Sequence, residues 1–503
     1  MTFARALARS RPDQIALRDP VRDWTWAQVD DALRPRVNAL LSVQWRGPRR
    51  VAVLAENSGE TLLWYAASTL SGTSAVAVNF HLEPAEAAWI LTHSQADVLL
   101  VDDATAECGA AAARLAGVRL VIGGSGAVAG VQPLEAALAD AADDEPPTDH
   151  PPRPTVVYTS GTTGRPKGVE LPPTSWVGGA DITEHLARLA ESAMVAHGRH
   201  LVVGPLYHAG PIAGTRFFVG GTPVTVLGRF DPERLLAAVE RDRIATMIVV
   251  PTHLQRVGAL PPAVRDRYDR SSLRYVLHVG AKFPEEAKRA TIGWLGDVLW
   301  ESYGASEVGT TCLIGAGEWL ERPGSVGRAV PPFEAVILDD DDKPVEPGVE
   351  GRLFFRDTNG HGMHYVDAPE ASVAGTAPFT LGEIGRMDAE GYVWITDRAS
   401  DLVVSGGVNI YPSEAEQVLG THPAVTEVAC IGVAHADLGE VLLALVVPAV
   451  PNPDAEELLA FCRSNLTLYK CPRSLRFVEA LARTPVGKID KRAMRAAHAG
   501  AQA

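Results

Sequence analysis

The stretch Tyr158-Thr159-Ser160-Gly161-Thr162-Thr163-Gly164-Arg165-Pro166-Lys167-Gly168 decides how the rest of this 503-residue chain is read. It follows an extended run, Thr155 to Tyr158, and gathers three glycines, four Ser/Thr hydroxyls and a lysine. Glycine lets the backbone turn, and amide and hydroxyl donors beside one cation suit a polyphosphate. The loop is not of the Walker A type. That pattern closes on Gly-Lys-Ser/Thr, whereas Lys167 follows Pro166 and precedes Gly168. Taken alone, the same composition also fits a plain Gly/Thr-rich turn.

The chain is too long for one ordinary core, which implies two to four domains. An apolar fraction of 46% and a charged fraction of 21% are those of a globular protein in water. The 46 Lys and Arg against 61 Asp and Glu give a formal charge of −15, which argues against nucleic-acid or anionic-membrane partners. An anionic ligand must therefore find locally placed Lys and Arg. Five scattered cysteines without CxxC spacing argue against a disulfide framework or a zinc site, and favour a reducing, cytoplasmic setting. The arginine-dotted N-terminus has no apolar signal core, and no apolar run reaches the roughly 20 residues of a membrane span. Phe3, Leu7 and Ile15 are spaced for a surface helix packing on the body.

In the first 130 residues, strand-like runs (51–54, 75–78, 98–101, 120–122) alternate with Ala- and Leu-rich helical patterns. That alternation predicts α/β sheets with crossover connections. Residues 139–154 are acidic and proline-rich, an exposed linker into the glycine loop. A second α/β stretch follows to about residue 300, with strands at 245–250 and 273–279. From Gly324 to Val393 the pattern is β-dominated, and the run Asp339 to Asp342 reads as a solvated hairpin tip rather than a metal site. After Asp401, short strands (428–433, 442–447) alternate with helices (413–419, 454–466), enough for a small α+β domain. The expected fold class is α/β. A large N-terminal domain holds two α/β sheet subdomains and a small β-rich subdomain, and a small mobile α+β domain follows. The expected boundary separates 1–399 from 400–503.

Four further stretches share the loop's polar character: Pro205-Leu206-Tyr207-His208-Ala209-Gly210-Pro211; Tyr303-Gly304-Ala305-Ser306-Glu307; Asp397-Arg398 with Ser405-Gly406-Gly407-Val408-Asn409; and Arg483-Thr484-Pro485-Val486-Gly487-Lys488-Ile489-Asp490-Lys491. Each alone has a structural explanation: a histidine after a strand, a Gly-Gly turn, a solvated lysine. Five in this order are not expected by chance. Together, over essentially the whole chain, they resemble the adenylate-forming superfamily of acyl-CoA ligases, peptide-synthetase adenylation domains and luciferase. The Pro-Leu-Tyr-His segment and the Gly-Lys-Ile-Asp-Lys ending point to the acyl-CoA ligase branch.

The resemblance implies a ligase that converts a carboxylic acid to its CoA thioester through an acyl-adenylate. ATP, Mg²⁺ and coenzyme A are the implied reactants and cofactor. Thr159, Ser160, Gly161, Thr162, Thr163, Gly164 and Lys167 would cradle the β- and γ-phosphates. Glu307 would hold Mg²⁺, and Ser306 would donate to the α-phosphate. Gly280, Ala281 and the run Glu301, Ser302, Tyr303 would flank the adenine, with Arg398 on the ribose. Lys488 would bridge carboxylate and α-phosphate as charge builds. The small domain would then turn about Ser400, carrying Lys488 away and bringing Ser405, Gly406 and Gly407 alongside the CoA arm. His208 would stand near the acyl carbonyl.

Three residues depart from the family pattern. Glu383 stands where a ribose-binding aspartate is usual, and its extra methylene can misplace that contact by about 1 Å. Ser400 occupies a hinge position that is usually Asp or Lys. Lys282 replaces a common proline, acting on the nucleotide or the acid, or pointing into solvent. These changes lie on the nucleotide side and raise an alternative, a variant that only thioesterifies an acyl-adenylate made by a separate adenylating enzyme. A catalytically silent nucleotide- or acyl-binding protein is the other alternative, against which Glu307 and Lys488 both count. The implied acid pocket comprises His208, Gly210, Thr215, His253, Val279, Lys282, Gly304 and Cys312. Its glycines favour a bulky acid over acetate. The expected partners are that small acid and CoA, with no nucleic acid or integral membrane, acting as a monomer or homodimer.

Overall fold

The computed structural model describes residues 3–159, 166–191, 197–366, 372–373, 375–398, 401, 403–405, 408–410, 412–435, 438–451, 453–466, 468–484 and 488–498. The chain divides into two compact units, Met1–Pro323 with Asp357–Ala377, and Gly324–Arg356 with Pro378–Ala503.

The first unit is built on two sheets. One runs in the order Leu120–Gly123, Val98–Val101, Arg50–Leu54, Ser74–Ala77, Val156–Thr159 and Lys167–Glu170. Its first five strands are parallel, and Lys167–Glu170 folds back antiparallel. The Val98–Val101 and Ser74–Ala77 strands are buried throughout, as parallel strands covered by helices on both faces must be. The other sheet runs Gly309–Gly315, Leu299–Ala305, Tyr275–His278, Thr246–Val249, His200–Val202, Val224–Val226, Ile15–Arg18 and Asp23–Thr25. Its interior pairs are parallel and its two terminal pairs antiparallel. Phe3 fills a corner of this unit, edge-on to Trp26 and Phe218, which stack on each other at 5.7 Å.

Ile15 corrects the expectation of a single N-terminal helix. The helix covers Phe3–Ser10, and Ile15 opens a strand. Pro12 disfavours helical geometry at Arg11 before it, so the chain leaves the helix there. The linker 139–154 is largely exposed, yet it is tied to the body. Asn38 donates to the carbonyls of Ala142 and Asp144, and the His150 ring meets Leu70 O at 3.1 Å.

In the second unit, strands Phe333–Leu338, Gly351–Asp357, Glu383–Met387, Tyr392–Arg398 and Ser325–Ala329 lie in that order. Asp339 to Asp342 form the hairpin tip expected of them. Asp339 accepts the amides of Asp341 and Lys343, and Asp342 takes a positive φ of 60°. A separate sheet runs Val408–Ile410, Val403–Ser405, Gly439–Pro448 and Val425–His435, with Ser474–Phe477 also beside Gly439–Pro448. Helices Pro412–Gly420 and Ala455–Asn465 cover it, burying Leu419, Leu458 and Cys462 against Cys430 and Ala444. Among the described residues no helix is long and apolar enough to cross a membrane.

Candidate active site

The glycine loop joins two paired strands. Thr159 ends one and Lys167 opens the next, directly opposite it in register. Ser160, Gly161, Thr162, Thr163 and Gly164 lie outside the described residues. Just past the loop, Gly168 sits where a Cβ would come within 3.1 Å of both the Tyr158 ring and Val366, and its carbonyl accepts the Val366 amide at 2.8 Å. That close pairing brings residues 365 and 366 against the base of the loop.

Tyr365 is the consequence. The Lys167 ammonium lies 5.3 Å from the centre of the Tyr365 ring, a cation–π distance. The Tyr365 hydroxyl donates to Glu307 Oε1 at 3.3 Å. Burial first, and then the Glu307 carboxylate, push the phenol's pKa well above its ordinary value, so it remains a donor. Lys167, Tyr365 and Glu307 thus form one group. Sequence reading identified the first and third and missed Tyr365, because it lies nearly 200 residues beyond the loop and only tertiary pairing brings it there.

Glu307 stands in the turn between Leu299–Ala305 and Gly309–Gly315. The turn is tight: Val308 N–H donates to Ala305 O, and Gly309 takes a φ of +79°. At Gly304 a Cβ would fall 1.9 Å from the Gly309 carbonyl oxygen, so only glycine fits. Thr174 clips the turn from outside through a 2.8 Å bond to Val308 O. Ser302 bonds across the hairpin to Thr310 at 2.8 Å, and Cys312 lies opposite Tyr303. Cys312 is fully buried, and burial pushes its thiol up to about 12, so it acts as a packing group rather than a nucleophile.

The Glu301 side chain is engaged away from any base. It is ion-paired with the buried Lys288, whose ammonium also lies 4.5 Å from the Trp319 ring centre. His278 Nε2 is 3.5 Å from the same carboxylate. Burial alone would raise the Glu301 pKa, but His278 and Lys288 outweigh it and hold it low. Because side chains alternate along a strand, Ser302 faces the other way, and only the Glu301 backbone is available to flank a base. At the neighbouring strand end, Gly280 turns with a φ of +82°, and Ala281 and Lys282 are exposed.

His208 caps the helix Ala209–Val219, with its ring against Tyr207 at 4.5 Å. The approach to it is fixed by Asn57, a residue that sequence reading did not single out. Its side chain donates to Gly204 O and accepts from Leu206 N–H, each at 2.8 Å, clasping the turn before His208. Two residues after His208, a Cβ on Gly210 would meet Ile248 at 3.3 Å and Val279 at 3.4 Å. Gly210 is therefore packed directly against Ile248 and Val279. His253 stacks on Phe230 at 4.4 Å, and burial pushes its pKa down to about 4. Thr215 does not stand with Gly210. Five residues further along the helix is about 140° around it, and Thr215 lines a different cavity.

In the second unit, Glu383 and Arg398 are direct register partners across adjacent antiparallel strands, and Glu383 is buried. Ser405 ends the strand Val403–Ser405 opposite Val408, and Gly406 and Gly407 lie outside the described residues. Ser400 is also outside them. Lys488 is exposed, in a turn closed by a Thr484 N–H to Lys488 O bond of 2.8 Å and by pairing of Arg483 with Ile489.

Among the described residues no three His, Cys, Asp or Glu gather as a metal cage. Glu307 offers a hard carboxylate oxygen, which suits Mg²⁺, an ion that binds one or two carboxylates plus substrate phosphates. The loop's amides, hydroxyls and Lys167 are of the kind that suits those phosphates.

Comparison with known proteins agrees with this geometry. Residues 3–364 match the AMP-binding enzyme family and residues 414–488 the AMP-binding enzyme C-terminal domain. The chain is 34% identical to a feruloyl-CoA synthase from Amycolatopsis sp. over 96% of both chains. It is 32% identical to an indoleacetate–CoA ligase from Aromatoleum aromaticum, over 95% of this chain and 94% of that one. The fold superposes on o-succinylbenzoate coenzyme A synthetase from Bacillus subtilis, solved with ATP and magnesium ion. There the TM-score is 0.81 at 26% identity over 98% of each chain. The chain belongs to the AMP-binding enzyme family, in the acyl-CoA ligase branch of the adenylate-forming superfamily.

Proposed function

We propose that this protein is an AMP-forming ligase that joins a bulky carboxylic acid to coenzyme A. The observation that carries the reading is the joining of Lys167, Tyr365 and Glu307, which sets a phosphate-binding cation beside a metal-binding carboxylate. In the first half-reaction, a carboxylate oxygen of the acid attacks the α-phosphorus of ATP, and pyrophosphate leaves. Thr159 to Gly164 and Lys167 hold the β- and γ-phosphates, and Ser306 donates to the α-phosphate. Mg²⁺, held by Glu307, supplies charge neutralisation on those phosphates. Gly280, Ala281, Ser302 and Tyr303 flank the adenine, while Glu383 and Arg398 take the ribose. Lys488 offsets the charge that develops between carboxylate and phosphate.

In the second half-reaction the CoA sulfur attacks the acyl carbonyl, the thiol proton is lost, and AMP leaves. Residues 400–503 turn about Ser400 between the two steps, placing Ser405 to Gly407 beside the CoA arm. His208 lies at the carbonyl end. The acid is placed beside Gly210 and Val279, and the indoleacetate and feruloyl groups named for its relatives favour an aromatic or similarly bulky acid. The named ligases among its relatives favour the full two-step enzyme over the thioesterification-only and silent-binder alternatives. The reaction is placed in the cytoplasm, by a monomer or homodimer.

The test is mass spectrometry of acyl-CoA and AMP after incubation with ATP, Mg²⁺, CoA and indoleacetate, ferulate, 2-succinylbenzoate or a long-chain fatty acid. Equal amounts of thioester and AMP with at least one acid are expected. Thioester only from a supplied acyl-adenylate would point to the half-reaction enzyme. No thioester from either source would point to a binder.

A further inference from the structure

A cavity of about 40 Å³ lies on the side of the helix Ala209–Val219 away from Gly210, and it belongs to no part of the site above. A water-sized occupant needs about 10–15 Å³, so there is room for about three such groups. Among the described residues its walls include Arg153, Arg216, Thr155, Thr215, Ser175 and His185, and no Asp or Glu. In a protein of charge −15, a hollow with two arginines and several hydroxyls has the local charge to suit an anion.

Two observations set this apart from an ordinary packing defect. Thr215 Oγ1 is buried and has no hydrogen-bond partner among the described residues. Among the described residues no carboxylate pairs with Arg216 either, whose contact is a cation–π approach to Phe217 at 5.6 Å. Other arginines set into the first unit find acceptors: Arg36 pairs with Glu60 at 2.6 Å and Arg50 with Glu170 at 3.2 Å, while Arg199 donates to the carbonyls of Val224 and Ile15. Burial pushes the Arg216 pKa down to about 10, which still leaves the guanidinium charged at neutral pH. A half-buried charge without a counter-charge can accept one, and a planar guanidinium is matched by a planar two-oxygen anion.

We propose that this cavity is a binding site for a small planar oxyanion of the carboxylate class, held by the Arg216 guanidinium and the Thr215 hydroxyl. The site is independent of the acyl and nucleotide sites. It is tested by thermal unfolding of the full chain in sodium formate against sodium chloride at equal ionic strength. The native protein should show a saturable rise in Tm with formate beyond that with chloride. Arg216→Met should lose that rise, and Thr215→Val should shift half-saturation several-fold upward. An equal response to the two salts, or the same formate response in native protein and Arg216→Met, would overturn the proposal. If Arg216→Met does not fold, Thr215→Val and a crystal structure of the native protein grown in formate decide it. A planar anion on Arg216 supports the site, and water alone there removes it.

Discussion

Glu383 and Arg398 stand directly opposite one another on adjacent antiparallel strands. On the proposed reading both meet the ribose of ATP, with Glu383 one methylene longer than the aspartate usual in the family. Glu383→Asp should therefore raise the rate of ATP–pyrophosphate exchange several-fold. Glu383→Ala should raise the KM for ATP on the order of 10- to 100-fold, the range for losing a hydrogen bond to a charged group. Unchanged exchange in both variants would remove Glu383 from the nucleotide site.

Tyr365 steadies Glu307 through a single hydroxyl. Tyr365→Phe keeps the ring under Lys167 and deletes only that bond. We expect kcat to fall about tenfold at limiting Mg²⁺ and to recover largely at saturating Mg²⁺. A purely structural tyrosine would show no dependence on Mg²⁺, so the magnesium titration is the deciding measurement.

At Gly210, even a Cβ meets Ile248 and Val279 at the edge of ordinary contact. Gly210→Val should push Ile248 and Val279 apart and into the space that the acid takes on the proposed reading. The kcat/KM for aromatic acids should fall on the order of 10- to 100-fold, as for 1–3 kcal/mol of overpacking, while propionate is affected less than threefold. Equal losses for both acids would place the acyl group elsewhere.

Burial holds His200 down to about 3 and His253 down to about 4, against an ordinary value near 6.5. His185 and His278 are lowered in the same direction, with burial the largest cause in each. Between pH 6.5 and 4 the unfolded chain therefore binds more protons than the folded one, so stability rises with pH across that window. Each such group contributes about 1.4 kcal/mol per pH unit where it is fully linked. Calorimetric Tm should fall steeply from pH 6.5 downward, and His200→Gln should reduce the slope by about one proton. A flat Tm to pH 5 would contradict the neutral, buried histidines.

The parallel strands were legible because runs such as Val98 to Val101 have only one way to be buried, between two helical layers. The glycine loop, Glu307 and Lys488 stood out as family motifs, since each lies within one short stretch of sequence. What was not legible depended on tertiary pairing. Tyr365 reaches Glu307 only because Gly168 admits Val366 at its back, and Asn57 reaches the His208 turn from nearly 150 residues away. The side-chain directions of Glu301 and Thr215 were hidden for a related reason. Strand alternation and helix rotation set which face a side chain takes, and a motif read residue by residue does not carry that information. Ile15 left the predicted helix because Pro12 ends it, a local signal outweighed by apolar spacing.

The central claim, one chain performing both half-reactions with Lys488 serving the first alone, is tested most directly with Lys488→Ala. Thioester formation would be measured from acid, ATP and CoA in one reaction and from synthetic acyl-adenylate and CoA in another. The account predicts a loss of order 100-fold or more in the first reaction and a change of less than about threefold in the second. Retained ATP-driven turnover in the variant, or equal losses in the two reactions, would contradict it.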